Sequence, residues 1–273
     1  MSTRTYKRKF LLLIVFQVGF FLTYSLTQHT TAFTNTDVNN PNALKERGNA
    51  LSDLGNYTGA IMYYDKALAI DPKMIETLNN KGLALSDLGN YTEAIEEYDK
   101  ALKIDPMSVT PLNNKGRALS NLGNYTGAIE YYDKAIAIDP KYINSLNNKG
   151  EAFLVLYNFT EAIRYYDKTL AIDPDNFYAL GSKGLALFIL GNYTEAIRYY
   201  DKTLAIDPND NYYLSKKGDA LFRLGNFTEA IETYDRILAT DPNNVDVQRS
   251  KNMAIDKLAE DEEISRQGPE ISE

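Results

Sequence analysis

Apolar and polar positions follow a pattern that returns at a constant interval along this chain. The clearest marker of the period is an Asp-Pro pair, which recurs at 71–72, 105–106, 139–140, 173–174, 207–208 and 241–242. Self-similarity at a fixed period of this length predicts a repeat architecture. With each Asp-Pro pair placed near the end of its unit, the repeats cover 41–74, 75–108, 109–142, 143–176, 177–210 and 211–244.

Each repeat has the spacing of two amphipathic helices. In the second repeat, Leu78, Leu85 and Leu88 recur at helical intervals, and Gly89 then interrupts the pattern. A second apolar stripe stops before Pro106, because a proline disfavours helical geometry in the residue that precedes it. The pattern therefore predicts a helix, a turn at the glycine and a second helix.

A glycine, an alanine and a tyrosine each recur at a fixed position in all six repeats. The eighth is Gly48, Gly82, Gly116, Gly150, Gly184 and Gly218. The twentieth is Ala60, Ala94, Ala128, Ala162, Ala196 and Ala230. The twenty-fourth is Tyr64, Tyr98, Tyr132, Tyr166, Tyr200 and Tyr234. Small residues let the two helices approach closely, and we expect the tyrosine ring to pack against the next repeat. A single helix pair cannot bury its apolar face alone, so stability is expected to come from stacking.

With Gly82, Ala94, Tyr98 and Pro106 at these intervals, the helix-turn-helix unit resembles the tetratricopeptide repeat. The resemblance covers residues 41–242 and implies an all-α fold, a right-handed α-solenoid of helix-turn-helix units. The sequence departs from the pattern locally, at Tyr157 in place of the turn glycine and at Thr169, Thr203 and Ile237 in place of a small alanine.

The segments that flank the repeats have different characters. Residues 245–260 predict one more amphipathic helix, which would cap the stack with a polar outer face. Residues 261–273 are acidic and carry a Gly-Pro pair, so we expect a disordered tail.

The segment 1–32 has the layout of an export signal. A basic start is followed by an uncharged, mostly apolar run (10–26) and then by small polar residues, with cleavage expected after Ala32. The apolar run is also just long enough to span a bilayer, so an uncleaved anchor is the alternative. Both interpretations place the repeats outside the cytoplasm, secreted or membrane-anchored, with 33–40 as a flexible tether. A buried N-terminal helix is the third interpretation.

Charge and composition exclude several functions. The net charge is −8, and it is −12 without the four basic residues that precede Asp37, so nucleic acid is not an expected partner. The chain has no cysteine, and its one histidine, His29, lies in the leader. No Ser-His-Asp or Cys-His nucleophile and no His/Cys zinc site can be built from the rest. We expect no enzyme activity, no cofactor and no metal.

One tripeptide in every repeat has two interpretations. Asn-aromatic-Thr, the acceptor sequence for N-linked sugar, begins at Asn56, Asn90, Asn124, Asn158, Asn192 and Asn226. Each asparagine precedes the second helix, and four have a glutamate at the third position after them, which is a capping-box pattern. Capping uses the amide oxygen and a glycan uses the nitrogen, so both roles are compatible.

The resemblance implies that positions 2, 5, 6, 9, 12 and 13 of each repeat line a concave face. In repeats two to four the fifth and sixth positions are asparagines, Asn79, Asn80, Asn113, Asn114, Asn147 and Asn148. Such amides can pair with the N–H and C=O groups of an extended peptide, or they are tolerated polar residues on a solvated face.

From repeat four onward the same face becomes apolar, at Leu154, Val155, Leu185, Phe188, Ile189 and Phe222. This surface is either a ligand groove or the place where helix 245–260 folds back, through Val247, Ile255 and Leu258.

Taken together, these features predict a non-catalytic scaffold that binds a protein or peptide partner outside the cytoplasm. The alternative is a glycan-bearing structural component of the cell surface that self-associates. Membrane contact is expected only through the N-terminal segment.

Overall fold

The computed structural model describes residues 39–267, where its regular structure consists of thirteen α-helices and no strand. The first helices of the repeats are α1 (Pro41–Asp53), α3 (Ile75–Asp87), α5 (Val109–Asn121), α7 (Ile143–Val155), α9 (Phe177–Ile189) and α11 (Asn211–Arg223). The second helices are α2 (Tyr57–Ile70), α4 (Tyr91–Ile104), α6 (Tyr125–Ile138), α8 (Phe159–Ile172), α10 (Tyr193–Ile206) and α12 (Phe227–Thr240). The last helix is α13 (Val245–Gln267). The predicted helix pair is confirmed in every repeat.

The chain divides into two compact blocks, Met1–Asn90 and Tyr91–Glu273. In the described part of the first block, α1 packs on α2 and α2 on α3. In the second block, each helix from α4 to α12 packs on the next one, up to α13. Both blocks are therefore stacks of consecutive helices, the arrangement of an all-α solenoid.

The predicted leader, 1–32, and nearly all of the predicted tether, 33–40, lie outside the described residues. Between 39 and 267, no helix combines the length and the apolar character needed to cross a membrane.

The invariant glycine and tyrosine of a repeat are in direct contact. A Cβ placed on Gly116 would lie 2.5 Å from Cε1 of Tyr132, and one on Gly150 would lie 2.7 Å from Cε1 of Tyr166. These rings are at most 1% exposed, and the alanine at position twenty is fully buried in every repeat. Glycine at position eight is thus required by the close approach of the tyrosine ring.

The turn between the two helices has a left-handed residue that ends the first helix. Gly123 has φ +80°, and the next residue, Asn124, donates its N–H to the carbonyl of Leu119 at 2.9 Å. This is the Schellman arrangement, which favours glycine because other residues meet steric strain at positive φ. Tyr157 takes the same conformation with φ 59°, exposed to solvent, so the fourth repeat keeps its turn but holds a strained residue there.

The other departures from the repeat pattern are accommodated in the core. Thr169, Thr203 and Ile237 are all fully buried. The hydroxyl of Thr169 donates to Oδ1 of Asn147 at 2.8 Å, and that of Thr203 donates to the carbonyl of Tyr199 at 2.9 Å. Each added polar group therefore has a partner, as burial requires.

In repeats four and five the capping-box prediction is correct for the asparagine and wrong for the glutamate. The Asn158 and Asn192 side-chain oxygens accept from the N–H of Glu161 and Glu195, as a cap does. The N–H of Asn158 is already bonded to the carbonyl of Phe153 at 2.8 Å, so the carboxylate of Glu161 pairs with Arg164 instead.

In the sixth repeat even the first half of the box is missing, because Asn226 makes no side-chain cap. In this repeat Oε1 of Glu229 lies 3.6 Å from Nζ of Lys217, so the glutamate is part of an ion pair.

Ion pairs between successive repeats are a feature that the sequence analysis missed. Lysine at position seven of one repeat pairs with aspartate at position twenty-five of the preceding repeat. Within the blocks these pairs are Lys81–Asp65, Lys115–Asp99, Lys149–Asp133, Lys183–Asp167, Lys217–Asp201 and, through α13, Lys251–Asp235. The repeat period contained the signal, since the aspartate recurs in all six repeats and the lysine in repeats two to six.

The last helix is longer than predicted. The sequence analysis ended it at residue 260 and expected disorder from 261, but α13 continues to Gln267. Its acidic end is compatible with a helix because Lys257 pairs with Glu260 and Arg266 with Glu262, at helical spacings. The expected disorder of 268–273 falls outside the described residues.

Candidate functional site

The asparagines predicted to bind a peptide are mostly buried. Asn79, Asn113, Asn114 and Asn147 are at most 9% exposed, whereas Asn80 and Asn148 are half-buried. A buried amide must satisfy its N–H and C=O groups inside the protein, so its existing contacts decide what remains for a ligand.

Asn113 is the centre of a hydrogen-bond network between α5 and α7. Its Nδ2 donates to Oδ1 of Asn114 at 3.2 Å. Its Oδ1 accepts from Oγ of Ser145 and from Nδ2 of Asn148, both at 3.0 Å. The fifth-position amide therefore joins two consecutive repeats and is not free to meet a peptide.

Asn147 has the same role one repeat further on. Its Oδ1 accepts from Oγ1 of Thr169, and its Nδ2 donates to Oδ1 of Asn176 at 3.3 Å. That Asn176 oxygen also caps α9 by accepting from the N–H of Ala179. The amide is thus part of the junction between repeats four and five.

The first block has an equivalent junction. Nδ2 of Asn80 donates to Oδ1 of Asn49 at 3.0 Å, and the Tyr64 hydroxyl donates to the same oxygen. Oδ1 of Asn80 also accepts from Nδ2 of Asn79 at 3.4 Å. An amide offers two N–H groups and an oxygen with two acceptor positions, so one bond donated and one accepted do not exhaust it. Asn80 and Asn148, which are half-buried, are the predicted ladder residues that keep capacity toward solvent.

The predicted apolar groove divides into core and surface residues. Leu154, Phe188 and Phe222, at position twelve, are half-buried and pack against the helix-pair cores of their own repeats. Phe188 meets the Tyr193 ring edge-on, with 5.3 Å between the ring centres. Leu185 is half-buried as well, and the thirteenth-position side chains of Val155 and Ile189 are about two-fifths to one-half exposed. Most of this surface is the outer edge of a core.

A cleft remains at the C-terminal end of the second block. It has a volume of about 360 Å³ and is lined by Phe188, Asp219, Phe222, Arg223, Tyr234, Ser250 and Met253. The last two residues belong to α13, which forms one wall of the cleft. The terminal helix therefore lies against part of the predicted apolar surface, and a cavity is left open beside it.

The contact of α13 uses only part of the predicted set of residues, because Val247 is buried and Leu258 half-buried whereas Ile255 is exposed. Val247 and Ala254 are buried in the core with Ile237 and Leu214. Ile255, which was expected to fold onto the surface, is 43% exposed. The reason is helical phase, since Val247 and Ala254 lie seven residues, or about two helical turns, apart on one face and Ile255 falls on another face.

Charges at the cleft are unequally paired. Oδ1 of Asp219 accepts from the Tyr234 hydroxyl at 2.9 Å, and Oδ2 lies 3.9 Å from the Lys216 ammonium. Arg223 is exposed and, within the described residues, makes no hydrogen bond or ion pair. Burial and the nearby Asp219 carboxylate raise the pKa of Tyr234, so this phenol stays protonated and acts as a donor.

The six sequon asparagines all lie on the surface. Each is exposed at the turn between the two helices of its repeat, and the threonine that completes the sequon is exposed as well. At Asn56, Asn124, Asn158 and Asn192 the side-chain oxygen caps the second helix. The nitrogen is the atom to which a glycan would attach, so this geometry leaves modification possible.

Family models of the tetratricopeptide repeat match the sequence along most of its length. One matches residues 79–143 and 147–211, and two others match 187–253 and 39–107. No curated protein sequence matches the chain.

Several solved structures resemble this one. A MamA crystal structure is 31% identical, with a TM-score of 0.53, over 58% of this chain and 92% of that one. PilW, described as a type IV pilus biogenesis factor, is 24% identical with a TM-score of 0.70, over 77% of this chain and 97% of its own. YrrB, described as having an unusual peptide-binding site, is 20% identical with a TM-score of 0.59, over 69% of this chain and 97% of its own.

Proposed function

This chain belongs to the tetratricopeptide repeat family, and from that premise we propose that it is a non-catalytic scaffold that binds a protein or peptide outside the cytoplasm. A tetratricopeptide scaffold is suited to protein–protein interaction. The observation that carries the proposal is that the repeats differ on one surface and agree in the core. Positions eight, twenty and twenty-four are invariant because packing requires them, while positions nine, twelve and thirteen of the first helices vary among the repeats.

The first-helix surface supports binding through its half-buried amides and its apolar residues. Asn80 and Asn148 retain hydrogen-bonding capacity at the edge of the repeat junctions. Extended peptides expose N–H and C=O groups at regular intervals, so an amide can pair with a peptide of any sequence. The apolar residues of repeats four to six would then supply selectivity.

Location outside the cytoplasm is supported by the order of residues in the leader. Basic residues precede the uncharged apolar run at 10–26, and a segment of small polar residues follows. This order is typical of a segment that directs export.

We predict that replacing both Asn80 and Asn148 by alanine weakens peptide binding about tenfold, because each lost hydrogen bond contributes roughly 0.5–1.5 kcal/mol. The ligand is a peptide selected from a random display library by the full-length chain, and its Kd is measured by fluorescence anisotropy. Asn209→Ala, on an exposed loop residue, is the control and should leave the affinity unchanged. Equal affinity in the double variant excludes the amide ladder, and a library that yields no enriched peptide overturns the binding function.

A second candidate function, a glycan-bearing surface component that self-associates, is favoured by the exposure of all six sequons. We predict that the intact mass of protein from the native host exceeds that of the polypeptide by the mass of attached sugars, after allowance for loss of residues 1–32. Peptide mapping then assigns the sugars to the six asparagines. A mass equal to that of the bare chain, with or without the leader, ends this alternative.

A further inference from the structure

The cleft beside α13 combines apolar side chains with a cation that has no partner among the described residues. Phe188 and Phe222 are half-buried, and Met253 is 51% exposed, so the apolar surface of the cleft is open to solvent. Arg223, the last residue of α11, lines the same cleft. A thioether side chain such as that of Met253 adapts its shape to different ligands.

Arg223 differs from the lysines on the first helices of the second block. Lys115, Lys149, Lys183 and Lys217 are each paired with an aspartate of the preceding repeat. The Arg223 guanidinium is not used in this way, and it is exposed on a chain whose overall charge is negative. Its charge is therefore available to a ligand.

The remaining charges at the cleft favour an anionic ligand. The Asp219 carboxylate accepts from Tyr234 on one oxygen and faces Lys216 on the other. Asp219 and Arg223 are the two charged residues that line the cleft, and since the Asp219 carboxylate already faces Tyr234 and Lys216, the Arg223 guanidinium is the charge left for a ligand. A guanidinium also binds a carboxylate through two parallel hydrogen bonds, which a lysine cannot do.

We propose that this cleft docks an acidic peptide segment in which a large apolar side chain stands next to an aspartate or glutamate. The apolar side chain lies against Phe188, Phe222 and Met253, and the neighbouring carboxylate pairs with Arg223. The cavity of about 360 Å³ is at the small end of known ligand sites, so it takes one large side chain and not a long apolar stretch. The inference rests on the proposed function and assigns the class of peptide that the scaffold selects.

A purely structural role for Arg223 would have a different signature. A cation in the last turn of a helix interacts favourably with the helix dipole, and this effect is modest at an exposed site. A structural arginine could be replaced with a small loss of stability and no change in ligand preference. The two roles therefore separate in a binding experiment.

The test compares the full-length chain with its Arg223→Glu variant in selections from one random peptide display library. We expect the wild-type chain to enrich peptides with an apolar residue beside an acidic one, and the variant to enrich basic residues at that position. A selected peptide and its analogue with lysine in place of the acid are then titrated against both proteins. The variant should bind the acidic peptide at least about tenfold more weakly and should prefer the lysine analogue.

Two further variants make the result specific to the cleft. Arg198→Glu changes an exposed arginine on a second helix, away from the first-helix surface, and should keep the wild-type preference. Met253→Ala, at a half-exposed position where folding is not at risk, should weaken binding and reduce the preference for a large apolar residue. Circular dichroism confirms that every variant is folded.

The outcomes distinguish the subsite from the general function. Enriched peptides whose binding is insensitive to both Arg223→Glu and Met253→Ala would show that the scaffold binds peptides elsewhere, and the subsite would be wrong. Selection of apolar peptides without an acidic preference would also contradict the role of Arg223. If no peptide is enriched, both the inference and the peptide-binding function fail.

Discussion

Replacing Gly116 by alanine is expected to lower the free energy of unfolding by about 2 kcal/mol, because the new methyl group would enter the space of the Tyr132 ring. The added Cβ would lie 2.5 Å from Cε1 and 2.8 Å from Cδ1 of that ring. Alanine favours helix over glycine by about 1 kcal/mol, which offsets only part of an overpacking cost of roughly 3 kcal/mol. The ring cannot move away, since Tyr132 is 1% exposed and its hydroxyl meets Ser120 Oγ at 3.1 Å. Urea unfolding followed by circular dichroism gives the change.

A matched control lies in the same repeat. Gly127, in the first turn of α6, would place its Cβ against the exposed and movable side chain of Asn124. Four other repeats have glutamate at this position, so Gly127→Ala should be neutral or stabilising. The Gly116→Ala loss should shrink when Tyr132 is also changed to leucine, with a coupling of about 1 kcal/mol or more. Additive effects of the two changes would show that the ring is not what excludes the methyl group.

Alkaline pH is expected to unfold the protein cooperatively between about pH 10 and 12, with the buried tyrosines as the cause. Burial raises the pKa of Tyr64 and of Tyr132 to about 12, and it raises the pKa of Tyr166, Tyr200 and Tyr234 as well. Below pH 10 these phenols are protonated in the folded and unfolded chain alike, so they add no pH dependence. Above pH 10 the unfolded chain releases protons that the folded chain retains. Stability then falls by about 1.4 kcal/mol per pH unit for each such phenol.

Phenolate absorbance at 295 nm and helical circular dichroism at 222 nm should change together in this range. Tyr166→Phe gives a specific check, because the Tyr166 hydroxyl is buried without a hydrogen-bond partner in the described part of the chain. Its removal should raise the pH of half-unfolding, since one fewer buried phenol resists ionisation. Tyr234→Phe is the matched comparison, because it also loses the bond to Asp219 and should be less stable at neutral pH. Gradual ionisation near pH 10 with the helices intact would contradict the mechanism.

The helix pairs were accessible from the sequence because their causes are local and are repeated. Gly89 ends α3 with φ +82°, and Pro106 follows α4, so each boundary is marked by a residue with special backbone geometry. The end of α13 was misplaced because charge pairs such as Lys257–Glu260 keep an acidic segment helical without an apolar pattern. Composition alone could not distinguish that segment from a disordered tail.

The candidate site was less accessible from the sequence. Asn113 and Asn114 are adjacent asparagines on a first helix, and their spacing does not reveal that both become buried. Their partners, Ser145 and Asn148, come from the following repeat. The part of Met253 in the cleft was missed for the same reason, since Phe188, Phe222 and Met253 are brought together from three different helices.

The amino-acid sequence is sufficient to specify the repeat, its two helices and the complement of small and aromatic residues that joins them. These depend on spacings within a helix and on a period that returns six times. The packed fold, in contrast, establishes which polar groups are consumed by contacts between repeats and which, like Arg223, remain for a ligand. Side-chain satisfaction depends on neighbours from other repeats, and a hydrogen bond or ion pair forms only when both groups are brought within a few ångströms.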